Sequence, residues 1–251
     1  MGKYSGILLC SDFDSTLSTD GVISKENIEA IKHFRKNGGL FTIASGRYYD
    51  FLLPFFPDYD FGVPLITLNG AVFYDVEKKK ICREQFISGL TKKYLNDVFD
   101  TALDVHRIVF FTDKGMIPII REERALLNEV ALDNVYKLSV RVEDDIETSN
   151  RATAAVKSVT PDFLDVSRSW YWGIEVQGKE TTKGPATRAL ANMIKADTLV
   201  CVGDFENDIG MVKEADIGYA VGNAISSLKE VADRVTVSVT EHAIAKIISE
   251  L

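Results

Sequence analysis

Two hydrophobic periods alternate along the first third of the chain. Residues 6–10 form a short continuous apolar run, the pattern of a buried strand. Ser24 then stands where a helix N-cap belongs, with Glu26 in the first turn. Ile28, Ile31 and Phe34 recur at helical spacing until Asn37-Gly38-Gly39 stops the pattern. Residues 39–47 (GLFTIASGR) and 64–71 (PLITLNGA) are two more apolar runs that close in small and polar residues. Strands separated by a helix-length segment predict βαβ units in a parallel sheet. The last third repeats the theme. It predicts a helix over 181–194 with Pro185 in its first turn, a strand over 198–204 ending in Asp204, and a short strand and turn over 217–224. A strand over 234–239 and a closing helix over 241–250 complete it.

The middle of the chain has another texture. Residues 106–120 read as two strands about Asp113-Lys114-Gly115, a hairpin signal. Residues 135–142 and 170–176 read as further strands, with helical stretches between. On the last of these, Trp170 and Trp172 share a face with Ile174 and Val176, which predicts packing inside this region. The fold class expected is α/β: a Rossmann-like parallel-sheet core with helices on both faces, formed by residues 1–83 and 178–251. An α+β domain over 84–177 is inserted into it.

Composition narrows the partners. The 251 residues are 46% hydrophobic and 26% charged, ordinary for a globular chain long enough to bury a large core. The net charge of −8 repels phosphate backbones and anionic lipid, so neither nucleic acid nor a membrane is expected as a partner. No apolar run reaches the ~18 residues of a membrane span. Cys10, Cys82 and Cys201 are odd in number and widely spaced, and read as buried thiols in a reducing cytoplasm. His33, His106 and His242 lie outside every motif. A monomer or a homodimer is expected.

The chemistry gathers at strand ends, where open α/β sheets form their sites. The first strand ends in Asp12-Phe13-Asp14-Ser15-Thr16, the second in Ser45-Gly46-Arg47 and the third in Asn69-Gly70. A later one ends in Gly203-Asp204, followed by Asn207 and Asp208. Two like charges ~4 Å apart cost about 4 kcal/mol at an effective dielectric near 20. Asp12, Asp204 and Asp208 on one rim therefore need a cation, and an all-oxygen set selects a hard ion such as Mg²⁺. Arg47 and Lys183 add positive charge that carboxylates and a metal alone do not require, which points to a phosphate dianion. Ser45 and Thr16 supply neutral donors, and the glycines admit close approach of backbone N–H groups. Asp12 and Asp14, two apart on an extended chain, face one side. One carboxylate attacks phosphorus while the other gives a proton to the leaving oxygen and later takes one from water. Any one of these short motifs also fits an ordinary cap or turn; the ordered set does not.

DFDSTL (12–17), SGR (45–47), KG (183–184) and GDFENDIGM (203–211) resemble, in order, the four motifs of the haloacid dehalogenase superfamily. NGA (69–71), AVGNA (220–224) and the position of the insertion resemble its Cof-like sugar-phosphatase branch, in which the insertion is a cap domain. The resemblance implies that Asp12 is the nucleophile and a Mg²⁺ ligand, and that Asp14 is the general acid/base with its backbone carbonyl on the metal. It implies that Ser45 binds the transferring phosphoryl group and that Lys183 neutralises charge between Asp12 and phosphate. Asp204 would bind Mg²⁺ directly, supported by Asn207 and Asp208, and Arg47 would lie toward the leaving group. Gly46, Asn69 and Gly70 join the phosphate- and substrate-binding set. Ser15 replaces the commoner glycine and Val221 a frequent methionine. The function expected is hydrolysis of a small phosphorylated metabolite through an aspartyl phosphate. A phospho-acceptor signalling module is the rival, and a phosphomutase the alternative within the family.

Overall fold

The computed structural model describes residues 2–56 and 61–251 and divides into two compact units. The first comprises Met1–Glu84 with Lys183–Leu251, the second Gln85–Thr182. The first unit begins with β1 (Ile7–Ser11), the short hairpin of β2 (Ser18–Thr19) and β3 (Val22–Ile23), α1 (Lys25–Lys36) and β4 (Leu40–Ile43). It continues with α2 (Tyr49–Leu52), β5 (Leu65–Thr67), β6 (Val72–Asp75) and β7 (Lys80–Glu84). After the insertion come α5 (Lys183–Ile194), β13 (Thr198–Gly203), α6 (Ile209–Glu214) and β14 (Ile217–Ala220). The chain closes with α7 (Ser226–Lys229), β15 (Arg234–Val235) and α8 (Ala243–Glu250).

The main sheet runs β15-β14-β13-β1-β4, and every neighbouring pair is parallel. Side chains alternate across it. Leu8 and Cys10 pack with Leu199, Cys201, Ala186 and Leu190 on one side. Leu9 points the other way, into a cluster with Val200, Ile31, Phe34, Ile244 and Ile247. Helices thus cover both faces, which is why the strands read as unbroken apolar runs. Helix α1 begins where the Ser24 hydroxyl accepts the Asn27 N–H at 3.2 Å. Asn27 is buried beside Ile31 and Phe34, and its Oδ1 accepts the N–H of Ala245 at 3.0 Å, tying α1 to α8.

Some elements differ from the sequence pattern. Only residues 65–67 of the 64–71 run are strand. The chain then turns with positive φ at Leu68, Asn69 and Gly70, and β5 enters an antiparallel β5-β6-β7 sheet. Of residues 234–239, only Arg234 and Val235 pair. The Thr236 N–H still bonds to the Ala220 carbonyl at 2.9 Å; after it side chains take backbone donors, as Glu241 Oε2 accepts the Ser238 N–H and Asn223 Oδ1 accepts the Val239 N–H. Cys10 and Cys201 are buried register partners, but Cys82 is exposed on the edge strand β7. Among the described residues, no helix is long and apolar enough to cross a membrane.

The second unit contains α3 (Lys92–Thr101), β8 (Arg107–Thr112), β9 (Gly115–Ile120), β10 (Val135–Arg141), α4 (Ile146–Val159), β11 (Leu164–Trp170) and β12 (Gly173–Gly178). Its antiparallel sheet has the order β11-β12-β10-β8-β9. Ile108, Phe110, Leu138, Val140, Ile174 and Val176 form one face and pack with Leu95, Val98 and Phe99 of α3 and Val156 of α4. The unit extends past residue 177 because β12 continues to Gly178 and a 3₁₀ turn follows it. The two tryptophans do not share a strand. Trp170 ends β11, Trp172 lies in the turn before β12, and only Trp172 packs on the apolar cluster.

The other face of this sheet holds a closed ion pair. Lys137 Nζ lies 2.6 Å from Glu175 Oε2, and both side chains are at most 2% exposed. Ser139 Oγ adds a bond of 3.3 Å to Glu175. Glu175→Ala strands a buried ammonium and is expected to destabilise the protein by about 3–5 kcal/mol, whereas Lys137→Met with Glu175→Leu costs far less. Denaturant unfolding of both variants checks this; equal losses refute it.

Candidate active site

β1 is an inner strand, so its carboxyl end meets those of β13 and β4. Ser11 pairs with Val202 on one side and Ile43 on the other. Asp12 follows directly, its N–H bonded to the Val202 carbonyl at 3.0 Å. Asp204 leaves the end of β13 at the same level, and Asp208 returns through the turn before α6. Asp208 Oδ2 accepts the N–H groups of Asp204 at 2.9 Å and Phe205 at 3.1 Å, which fixes this loop. Gly203 is required here, since a Cβ would stand 2.4 Å from the Asp208 Cβ.

Lys183 opens α5, an unfavourable place for a cation near a helix N-terminus. Two carboxylates hold it. Its Nζ lies 2.5 Å from Asp12 Oδ1 and 2.7 Å from Asp208 Oδ1, with the lysine side chain 1% exposed. The helix approaches closely because Gly184 meets Gly210 of α6; a Cβ on Gly184 would sit 2.8 Å from that backbone. Carboxylate oxygens of Asp12, Asp204 and Asp208 all lie within 4.8 Å of one another. Thr16 donates to Asp204 Oδ1 at 2.9 Å.

This charge is not balanced. Three carboxylates face one ammonium. Burial lifts Asp12 to about 7, against the pull of Lys183, and Asp208 adds to the rise. Burial likewise lifts Asp204 to about 9, helped by Asp12 and Asp208. Burial opposes the charge on Lys183, but Asp12 and Asp208 outweigh it and hold the lysine above its usual range. The donors are hard oxygens close enough to share one divalent cation, so the set suits Mg²⁺.

The remaining predicted residues form a second group. Arg47 makes a bidentate pair with Asp14, with bonds of 2.8 and 2.9 Å, and its guanidinium lies 4.0 Å over the Phe51 ring. The Asp14 side chain is half exposed and stands outside the three-carboxylate group. Ser45 is buried, and its Oγ accepts the Arg47 N–H at 3.2 Å. Gly46 lies between them in the same turn, half-buried. Asn69 is buried with its N–H on the Ser45 carbonyl at 2.8 Å, and Asn207 Nδ2 donates to its Oδ1 at 3.3 Å. Gly70 follows with φ +129. Ser15 takes φ +61, the region glycine enters freely, and Asn223 Nδ2 braces its carbonyl at 2.9 Å. Phe51 and Asn223 were not singled out from the sequence. Phe51 stands four residues after Arg47, and Asn223 lies within the AVGNA segment.

A profile of haloacid dehalogenase-like hydrolases matches residues 9–248. A 5-amino-6-(5-phospho-D-ribitylamino)uracil phosphatase of Bacillus subtilis is 28% identical, over 96% of this chain and 96% of that one. A pyridoxal phosphate phosphatase of Escherichia coli is 24% identical, over 96% and 97%. Among solved structures, a haloacid dehalogenase-like hydrolase of Bacillus subtilis superposes with a TM-score of 0.78 at 22% identity, covering 97% of this chain and 99% of that chain. With its parallel core, its inserted unit and a match that spans nearly its whole length, the chain belongs to the haloacid dehalogenase superfamily, on its Cof-like phosphatase branch.

Proposed function

We propose that this phosphatase is a Mg²⁺-dependent phosphomonoesterase acting on small phosphorylated metabolites through a phosphorylated Asp12. The observation that carries the reading is the Lys183 ammonium bonded at once to Asp12 and Asp208, with Asp204 close enough to both carboxylates to share a metal ion with them. Asp12, Asp204 and Asp208, with the Asp14 carbonyl and Asn207, are the proposed ligands. Magnesium, when bound, neutralises charge on these carboxylates and on the phosphate.

Asp12 attacks phosphorus, and the bond to the leaving oxygen breaks as Asp14 delivers a proton to it. Asp14 then takes a proton from water, whose oxygen attacks the acyl phosphate. Inorganic phosphate departs and the Asp12 carboxylate is restored. Lys183 holds Asp12 in its anionic, attacking form. Ser45, Gly46, Asn69 and Gly70 offer donors to the phosphoryl oxygens. Arg47 binds the substrate toward its leaving group, and in doing so exchanges its bidentate contact with Asp14 and frees that carboxyl to reach the leaving oxygen. The 85–182 unit is read as the cap domain of this catalytic core.

The substrates named for the two relatives are monophosphates of small metabolites, which supports the same class here. The adjacent free thiols of Cys10 and Cys201 support a reducing, cytoplasmic setting.

Turnover of p-nitrophenyl phosphate with and without Mg²⁺ tests the reading. Asp12→Asn is expected to abolish turnover with an unchanged circular dichroism spectrum, and Asp14→Asn to lower kcat about 10²–10⁴-fold. Parent-level activity in Asp12→Asn rejects it. Incorporation of one phosphoryl group without steady-state turnover favours a phospho-acceptor instead.

A second expectation concerns stability. Asp12 and Asp204 titrate near 7 and 9 in the fold but near 4 when unfolded. The folded state therefore holds protons that the unfolded state has released. In chelator the thermal midpoint falls as pH rises from about 5 to about 9. At a fixed concentration Mg²⁺ restores stability, by about 2.7 kcal/mol where that concentration is 100 times its Kd, and by more at the upper pH, where the carboxylates are deprotonated and Kd is lower. An equal Mg²⁺ effect at both ends of the range contradicts the carboxylate site.

A further inference from the structure

The sheet of the inserted unit carries unbalanced positive charge on the face opposite its apolar cluster. Arg107 of β8 and Arg141 of β10 are direct register partners on that face. Like charges placed opposite each other across two strands are destabilising. Other arginines of this unit have partners: Arg151 pairs with Asp104, Arg124 with Asp100, and Arg121 donates to three carbonyls. The side chains of Arg107 and Arg141 make no hydrogen bond or ion pair within the described residues, and the Nε of each is buried without a partner.

The acids of this face do not answer them. Glu175, on the strand beside β10, is committed to Lys137 at 2.6 Å and to Ser139 at 3.3 Å. Asp165 lies across from Gln177, on the far edge strand. Arg141 rests 4.3 Å over the Trp170 ring, a cation–π contact that leaves its N–H donors without a hydrogen-bond acceptor. Burial, with Arg107 adding to it, pulls the Arg141 guanidinium below its usual range despite the fields of Glu175 and, more weakly, Asp144.

We propose that Arg107 and Arg141 form an oxyanion-binding site that takes a carboxylate or phosphate group between two guanidinium forks. Each fork carries five N–H donors in a plane matched to such an anion, and a charge-assisted bidentate contact satisfies the buried Nε atoms. The anion is either an acidic group on the phosphorylated substrate or a free anion. Assigning it to the substrate rests on the phosphatase reading above; the site itself does not.

Trp170 is a built-in reporter. Titrating the full chain with malonate at constant ionic strength is expected to give a saturable change in tryptophan fluorescence. Arg107→Gln keeps the stack of Arg141 on Trp170 and is expected to lose that response, while Arg107→Lys keeps part of it. Removing the like-charge pair is expected to raise the thermal midpoint of Arg107→Gln by about 1–3 °C, so loss of fold does not mimic loss of binding. A wild type that does not saturate, or an Arg107→Gln that saturates like it, overturns the proposal.

Kinetics locate the anion. If it belongs to the substrate, Arg107→Gln raises KM about tenfold for para-carboxyphenyl phosphate and leaves KM for phenyl phosphate unchanged. If it is free, malonate alters phenyl phosphate turnover in the wild type and not in Arg107→Gln. An equal loss on both esters, insensitive to malonate, marks structural damage and counts against the site. A wild type that cleaves neither ester sinks the phosphatase reading and leaves the fluorescence result standing.

Discussion

The contact on which the core depends is the Lys183 ammonium held between Asp12 and Asp208. Lys183 stands 171 positions from Asp12 and 25 from Asp208, so no local structure brings these groups together. Taking such charges out of water costs several kcal/mol per ion even after relaxation. The cost is offset only if the geometry is closely held, and the surrounding sequence is organised to hold it. Gly203 leaves room for the Asp208 carboxyl, Gly184 lets α5 reach α6, and Asp208 spends its second oxygen on the loop that carries Asp204.

The sheet supplies the rest. With β1 between β13 and β4, parallel strands deliver their carboxyl ends to one rim, and the acids arrive from opposite halves of the chain at one level. The apolar residues of β1 and β13 anchor this rim on both faces, so the polar loops need only short-range bonds to be placed. Thr16 on Asp204, Asn207 on Asn69 and Asn223 on Ser15 are such bonds.

The clustering of Asp12, Lys183, Asp204 and Asp208 was legible because these residues lie at strand ends or just beyond, or open a helix, where a polar group has no packing role. The parallel strands and α1 were legible because their apolar runs are bounded by caps and glycines. What escaped is where local pattern and tertiary pairing part. β11 (LDVSRSW) alternates apolar and polar residues too briefly to stand out, and its hairpin turn falls between Trp170 and Trp172, so one apparent strand is two. The 234–239 segment has strand composition, but side-chain acceptors claim its later backbone donors. Cys82 resembled its buried counterparts in type and differs in lying on an edge strand. The contact between Arg47 and Asp14 joins residues 33 positions apart and left no local trace.

Buried charge in this protein takes two forms, and balance separates them. Lys137 and Glu175 match one to one, are closed from water and bond to each other; such a pair is complete, and hydrophobic residues of similar volume can replace it. Asp12, Asp204 and Asp208 against Lys183 leave an excess of negative charge, and Arg107 with Arg141 leaves an excess of positive charge. Neither excess lowers the energy of the folded chain by itself, since like charges in a partly dry environment repel. Each becomes favourable only with an ion of opposite sign. Uncompensated charge held in place by the fold, rather than burial, is what sets these two clusters apart from a core ion pair of similar depth and is the ground on which both are proposed as binding sites.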